Sequence, residues 1–302
     1  MENCMMSSER KYNCISVLMG GPSSEREVSL CSGKAVASGL REAGYEVFEV
    51  DVKEKELDLP GNTEAVFIAL HGEYGEDGDV QARLEAMGMP YAGSGVESSR
   101  ASFDKIESKR VFVDNNIPTP DFEVLKDGDE RKMPLPVVVK PPKQGSSIGI
   151  TRVFEEDQWG PAMQEALKYD DTVLVEKYIE GRELTVGVVA NESLPVVEIV
   201  APGDWYSYKA KYTKGETRYL VPAPVSEETA DLCRDLSLKI FKAFECSGFG
   251  RADFRMSEDG SVFALEMNSI PGFTETSLLP KAAAAMGISF SELCSRIIDT
   301  ID

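Results

Sequence analysis

Residues 251–272 read RADFRMSEDGSVFALEMNSIPG. Two strand-like runs, 251–256 and 262–268, flank Ser257-Glu258-Asp259-Gly260. The Asp-Gly pair predicts a two-residue type I′ turn. That turn pairs Glu258 with Ser261, which sets Asp253 opposite Glu266 and Arg251 opposite Asn268, all four on one face of the ribbon. Carboxylates directly opposed across a ladder repel and destabilise it. A hard cation between them removes the conflict, and Mg²⁺ shares one or two carboxylates with substrate phosphates. Arg251 on the same face suits an anionic transition state. The competing reading is a solvent-facing hairpin with scattered charges. Against it, the opposite face carries Phe254, Phe263, Leu265 and Met267 and must pack on something.

Outward from the hairpin, the chain divides into segments of different period. Strand-like runs at 14–19, 45–52 and 65–70 alternate with helical stripes (Val28, Cys31, Ala35, Leu40; then Val80, Leu84, Met87). This alternation predicts a parallel sheet with helices on its faces. Ligands of such sheets sit at strand carboxyl ends, here Gly20–Glu25 and Leu70–Gly78. From about Ser94 the pattern changes. A helix over 103–114 leads through the turn Ile117-Pro118-Thr119-Pro120 to a strand at 136–140. The loop Gln144–Gly149, a helix near 155–169 and a strand at 172–178 follow. Residues 184–189 and 194–200 read as a hairpin around Asn191. Residues 203–224 lack periodicity, and loops of such length are usually functional or disordered. Leu232, Leu236, Ile240 and Phe244 mark a long helix with Ser226 as N-cap and Gly248 at its stop.

The 302 residues carry 52 Asp plus Glu against 32 Lys plus Arg, a net charge of −20. Such a surface repels nucleic acid and anionic membranes. An anionic substrate needs a local cationic site built against this background. No apolar run approaches the roughly 18 residues of a membrane span, and Gly20-Gly21-Pro22 interrupts the early apolar stretch too soon for a signal peptide. The expected compartment is therefore the cytoplasm. The six cysteines include no C-x-x-C pair and read as reduced thiols. His71 is the single histidine, which leaves little basis for a zinc site or a Ser-His-Asp triad.

No Walker A motif is present, and Gly248-Phe249-Gly250 lacks the third glycine of a dinucleotide fingerprint. Phosphate binding must come from elsewhere. Lys140, at the end of Val137-Val138-Val139, precedes Gln144-Gly145-Ser146-Ser147-Ile148-Gly149. A lysine beside a Gly-Ser loop can hold phosphates and cover them; a plain surface loop is the other reading.

In order along the chain stand Gly20-Gly21-Pro22-Ser23-Ser24-Glu25-Arg26-Glu27-Val28-Ser29, His71-Gly72, Gly75-Glu76-Asp77-Gly78 and Phe103-Asp104-Lys105. Val139-Lys140-Pro141, Gly145-Ser146-Ser147, Glu176-Lys177-Tyr178 and Lys209-Ala210-Lys211-Tyr212 follow. Gly250-Arg251-Ala252-Asp253 and Glu266-Met267-Asn268 through Pro271-Gly272-Phe273-Thr274 complete the set. Each is weak alone, but the ordered set resembles the D-alanine–D-alanine ligases of the ATP-grasp superfamily. The resemblance implies an α/β protein, α+β in its C-terminal half. Residues 1–94 would form a Rossmann-like substrate domain. Residues 95–178 and 179–302 would form two domains that clasp ATP, the second bearing an omega loop at 203–224 and the metal site.

The same resemblance implies ATP-dependent joining of two D-alanine molecules through a D-alanyl phosphate, for peptidoglycan precursors, by a homodimer. Lys105 and Lys140 would hold nucleotide phosphates, and Lys211 would reach the γ-phosphate on loop closure. Glu176, Lys177, Ile179 and Glu183 would hold adenine and ribose. Asp253, Glu266 and Asn268 would hold two Mg²⁺, with Mn²⁺ as a substitute. Arg251 and the Gly272 amide would stabilise the oxyanion. Glu25 would bind the first ammonium, with His71 nearby, while Ser277 and Leu278 meet the second carboxylate. Tyr212 would hydrogen-bond Ser146, which in turn meets Glu25.

The chain departs from the family at Ser269-Ile270, where Thr and another residue are common, at Thr276 and at Ala82. The first two lie beside the second-substrate site. Two alternatives follow: a D-alanine–D-lactate or D-alanine–D-serine ligase, against which Tyr212 argues, and a catalytically silent ATP-grasp module, against which the intact site residues argue.

Overall fold

The computed structural model describes residues 10–201 and 217–302. Its first sheet comprises β1 (Cys14–Gly20), β2 (Glu46–Val52), β3 (Ala65–Ile68) and β4 (Tyr91–Ala92), in the order β2-β1-β3-β4 with every pair parallel. β1 is buried at all its positions, as a parallel strand covered on both faces must be. α1 (Arg26–Glu42) follows β1 directly, and α2 (Asp79–Ala86) precedes β4. α8 (Phe290–Ile298) packs beside α1, so that Ile15, Val17 and Leu40 share one core with Leu293, Cys294 and Ile297. Tyr45 Oη and Ser295 Oγ, 3.0 Å apart, tie the same two regions together.

The helix expected over 103–114 forms as α4 (Lys105–Asp114), and a further short helix, α3 (Val96–Phe103), precedes it. Asp104 between them is extended, and its carboxylate accepts from the Ile106 and Glu107 amides. This side-chain cap satisfies amide donors that a new helix start exposes, and so it fixes where α4 begins. The second sheet is antiparallel, in the order β5-β8-β6-β7. It consists of β5 (Phe122–Leu125), β6 (Val137–Lys140), β7 (Thr151–Val153) and β8 (Val173–Lys177), with α5 (Glu156–Ala166) against it.

The third sheet runs β12-β11-β9-β13-β14 with β10 paired to β9. Its strands are β9 (Gly181–Val189), β10 (Glu192–Ser193), β11 (Val197–Val200), β12 (Arg218–Leu220), β13 (Phe249–Ser257) and β14 (Val262–Asn268). α6 (Glu227–Ala243) covers one face, capped by the Ser226 side chain. It stops at Ala243, and Glu245 (φ 53°) enters the left-handed region before Gly248 does. α7 (Leu278–Ala285) precedes α8. No helix among the described residues is long and apolar enough to cross a membrane.

The β13–β14 hairpin corrects the expected turn while keeping the expected site. Ser257 pairs with Ser261 around a three-residue loop, with Gly260 at φ +86°, rather than Glu258 with Ser261 around two residues. That shifts the outer pairs by one: Met256 faces Val262 and Phe254 faces Ala264. A β-bulge at Leu265 then removes the shift, and Asp253 faces Glu266 and Arg251 faces Asn268. The bulge also changes the faces. Val262, Ala264 and Met267 enter the core beside Phe254, whereas Phe263 and Leu265, expected there, are half-buried. Ala264 gives its amide to Pro118 O at 2.7 Å and takes the Thr119 hydroxyl on its carbonyl at 2.7 Å. The proline turn thereby satisfies backbone groups on the bulged edge strand.

Candidate active site

On the open face of the hairpin, Arg251 grips Asp253 with two bonds, Nε to Oδ1 at 2.8 Å and Nη2 to Oδ2 at 2.7 Å. Thr185 on β9 donates to Asp253 Oδ1 at 2.5 Å, and Asn268 Nδ2 to Oδ2 at 3.0 Å. Lys105, at the start of α4, donates to Gln144 O at 2.7 Å and stands 3.8 Å from Glu266. Two carboxylates from adjacent strands are thus balanced by two cations of the chain itself. With Asn268 Nδ2 turned to Asp253, its Oδ1 is the atom left for a ligand role. An all-oxygen set of this kind, half-open to a cleft, fits a hard divalent cation that also takes phosphate oxygens.

The cleft is lined by Lys105, Gly145, Ser146, Glu266 and Asn268, with Glu76 on its far side. Ser146 hydrogen-bonds Glu25 at the carboxyl end of the first sheet. Ser146 and Ser147 both hold positive φ, 50° and 60°, a conformation that costs free energy and is found mainly at functional loops. A Cβ on Gly145 would lie 2.8 Å from Glu25 Oε2, so the loop passes close against that carboxylate. His71 is nearly buried, with Nε2 2.9 Å from Ser32 Oγ and Nδ1 3.4 Å from Glu76 Oε1. The Phe273 amide donates to the same Ser32 hydroxyl at 3.3 Å. Both ring nitrogens are therefore engaged within the protein.

A second cluster lies between α4 and the second sheet. Glu176 on β8 meets Lys140 of β6 at 2.7 Å and Lys109 of α4 at 2.7 Å. Burial pushes the Glu176 carboxyl up, but the two lysines together hold it below its ordinary value. Burial pushes Lys109 down to about 8, against the pull of Glu176. Arg255 Nε donates to Ile179 O at 3.0 Å and its Nη1 stands 3.4 Å from Glu183 Oε2, which fixes the edge where β8 passes into β9. Ahead of α7, Thr274 donates its amide to Ser277 Oγ at 3.0 Å. A Cβ on Gly272 would stand 3.4 Å from that same oxygen. Ser277 and Leu278 open α7 without a side-chain cap bond, which leaves first-turn amide donors for an anion.

The structure therefore brings Lys105, Ser146, Asp253, Glu266 and Asn268 together, and Lys140 with Glu176. Lys211 and Tyr212 lie outside the described residues. Sequence reasoning passed over Lys109, Thr119, Thr185 and Ser32. Only Lys109 left a legible signal, four residues after Lys105 and so on the same helix face.

A parallel sheet delivering Glu25, a second sheet delivering Lys140 and a metal-competent hairpin define an ATP-dependent carboxylate–amine ligase of the ATP-grasp class. The family profile described as D-ala D-ala ligase C-terminus matches residues 110–299, and the one described as D-ala D-ala ligase N-terminus matches residues 50–94. The chain belongs to the D-alanine–D-alanine ligase family. A D-alanine–D-alanine ligase of Syntrophotalea carbinolica is 45% identical over 300 residues, spanning 97% of this chain and 98% of that protein. One from Methylacidiphilum infernorum is 43% identical over 285 residues and 94% of each chain. The crystal structure of D-alanine–D-alanine ligase from Bacillus anthracis complexed with ATP matches with a TM-score of 0.84 at 34% identity, covering 95% of this chain and 96% of that one.

Proposed function

We propose that the cleft beside the acidic hairpin performs the family reaction with this chain's residues in the following roles. ATP gives its γ-phosphoryl group to the carboxylate of one D-alanine, forming D-alanyl phosphate and ADP. The amine of a second D-alanine attacks that carbonyl carbon. The tetrahedral oxyanion collapses, the new C–N bond remains, and phosphate leaves. Such chemistry depends on positioning and on neutralising charge.

Lys105 and Lys140 hold nucleotide phosphates, and Lys211 joins them. Glu176, Lys177, Ile179 and Glu183 hold adenine and ribose. Asp253, Glu266 and the Asn268 carboxamide would hold two Mg²⁺, which when bound offset the charge of the phosphates. Arg251 and the Gly272 amide face the oxyanion. Glu25 takes the first ammonium, with its carboxylate oriented by Ser146 and that serine by Tyr212. His71, its nitrogens taken by Ser32 and Glu76, shapes the first-substrate pocket rather than moving a proton. Ser277 and Leu278 receive the second carboxylate at the start of α7. The three modules divide near residues 94 and 178, and the protein works as a cytoplasmic homodimer.

The opposed pair Asp253 and Glu266, with Arg251 on one and Lys105 near the other, carries this reading. It is tested by phosphate release with ATP, Mg²⁺ and D-alanine against a panel of D- and L-amino acids and D-lactate, at pH 6 and pH 8. D-alanine is expected to serve as both substrates. Preference for D-lactate would move the chain to the depsipeptide ligases, and release no faster than background would make it a silent module.

A further inference from the structure

Lys109 is the most deeply buried charge near the site, with no exposed surface. It sits one helical turn after Lys105, on the same face of α4, and its ammonium has two polar partners. It pairs with Glu176 Oε1 at 2.7 Å, while Lys140 takes Glu176 Oε2 at 2.7 Å. It also donates to Thr119 Oγ1, whose hydroxyl donates to Ala264 O at 2.7 Å on β14, two residues before Glu266. Phe112 and Phe122 rings lie about it at 6.0 and 5.9 Å and keep water out.

The charge balance is the instructive part. Glu176 and Lys140 alone would form a closed neutral pair, and a lysine so neutralised has little attraction left for phosphate. Two lysines on one carboxylate leave a net positive charge, placed in a low-dielectric pocket of a protein whose overall charge is −20. We infer that Lys109 is a positioning residue for the nucleotide: by sharing the Glu176 carboxylate it keeps Lys140 electrostatically available to the phosphates, although Lys109 itself touches no ligand. This deepens the role proposed above for Lys140 and rests on it.

The experiment compares binding of a non-hydrolysable ATP analogue with Mg²⁺ to binding of adenosine, which lacks phosphate. Lys109→Met is expected to weaken the analogue by about tenfold and adenosine, which meets Glu176 alone among the cluster, by a clearly smaller factor, whereas Lys109→Arg keeps both near the unsubstituted values. A purely structural role for Lys109 predicts equal losses for both ligands, and that result, or no loss at all, overturns the inference. Lys140→Met serves as the separate control. If it leaves analogue binding unchanged, the phosphate role of Lys140 itself fails; if it weakens the analogue and Lys109→Met does not, only the present inference fails.

A readout that needs no uncharged variant comes from pH. Around Lys109 stand Glu176 on β8, Lys140 on β6, Glu266 on β14 and Lys105 on its own helix. As pH rises through about 8, Lys109 loses its proton. The ratio of analogue to adenosine dissociation constants is then expected to rise between pH 7 and pH 9, and Lys109→Arg to flatten that rise. A flat ratio in the unsubstituted protein counts against the inference.

Discussion

The two charge clusters of the site each set carboxylates against cations and behave oppositely. Around Glu176 everything is sealed: the side chains of Lys109, Glu176 and Lys140 are 0, 3 and 8% exposed. Around the hairpin the Glu266 side chain remains 28% exposed to the cleft, and Asp253 is turned toward Arg251. The sealed cluster carries one more cation than anions, and in the reading above that surplus reaches a ligand only through Lys140. The open cluster balances two carboxylates with two cations and can trade them. Desolvation is what separates the two. It fixes the Lys109–Glu176–Lys140 pairing inside the first cluster and leaves the carboxylates of the second open to a cation.

The sharpest way to break this contrast is to neutralise one acid in each cluster. Glu176→Gln leaves two buried ammonium groups without a counter-charge and is expected to cost about 3–5 kcal/mol of stability, read as a large drop in thermal midpoint. Glu266→Gln is expected to leave the thermal midpoint nearly unchanged, because it relieves repulsion from Asp253. It should nevertheless lower turnover by about 10²–10³-fold, measured by phosphate release. If Glu266→Gln keeps near-normal turnover, the hairpin is not a metal site. If Glu176→Gln is as stable as the parent, the sealed cluster is not architectural.

The smallest expected effect is in acid. The folded-state carboxyl of Glu176 is held below its ordinary value, so its contribution is present above the unfolded value of about 4.3. That contribution is lost as pH falls through the folded value. The gap in thermal midpoint between the parent and Glu176→Gln should therefore be full at pH 7 and narrow as the protein is taken into acid. A constant gap would show that Glu176 acts through shape rather than charge.

The hairpin shows what was legible in the sequence and what was not. Opposition of Asp253 to Glu266 followed from strand period and an Asp-Gly turn, yet the turn is longer by one residue and Leu265 bulges to compensate. Two local departures cancel because the register at the site is held by β9 on the other side of β13 and by Pro118 and Thr119 at Ala264. Neither constraint is local in sequence. The start of α4 was written in the chain as an aspartate preceding a helical run, whereas the mostly polar α3 before it left no stripe to read. The spacing of Lys109 from Lys105 put the two on one helix face, but nothing local marked Lys109 as buried. Its burial depends on two sheets closing over α4, which no window of sequence reports. β5 and β7 are short edge strands, defined by their partners more than by their own composition. The order of the ligase motifs made the family readable, since resemblance requires no geometry.

The core shared by β1 and α8 has a consequence for synthesis. The strand at 14–20 and the α1 helix packed on it are synthesised early, but α8, which completes their shared core, follows about 270 residues later. At about 5–20 residues per second, the side of α1 that meets α8 waits on the order of tens of seconds for its partner. Nascent chains paused anywhere before residue 290 present an unfinished first module, so slow codons late in the message, far from any active-site residue, would lengthen the time in which this chain depends on chaperones.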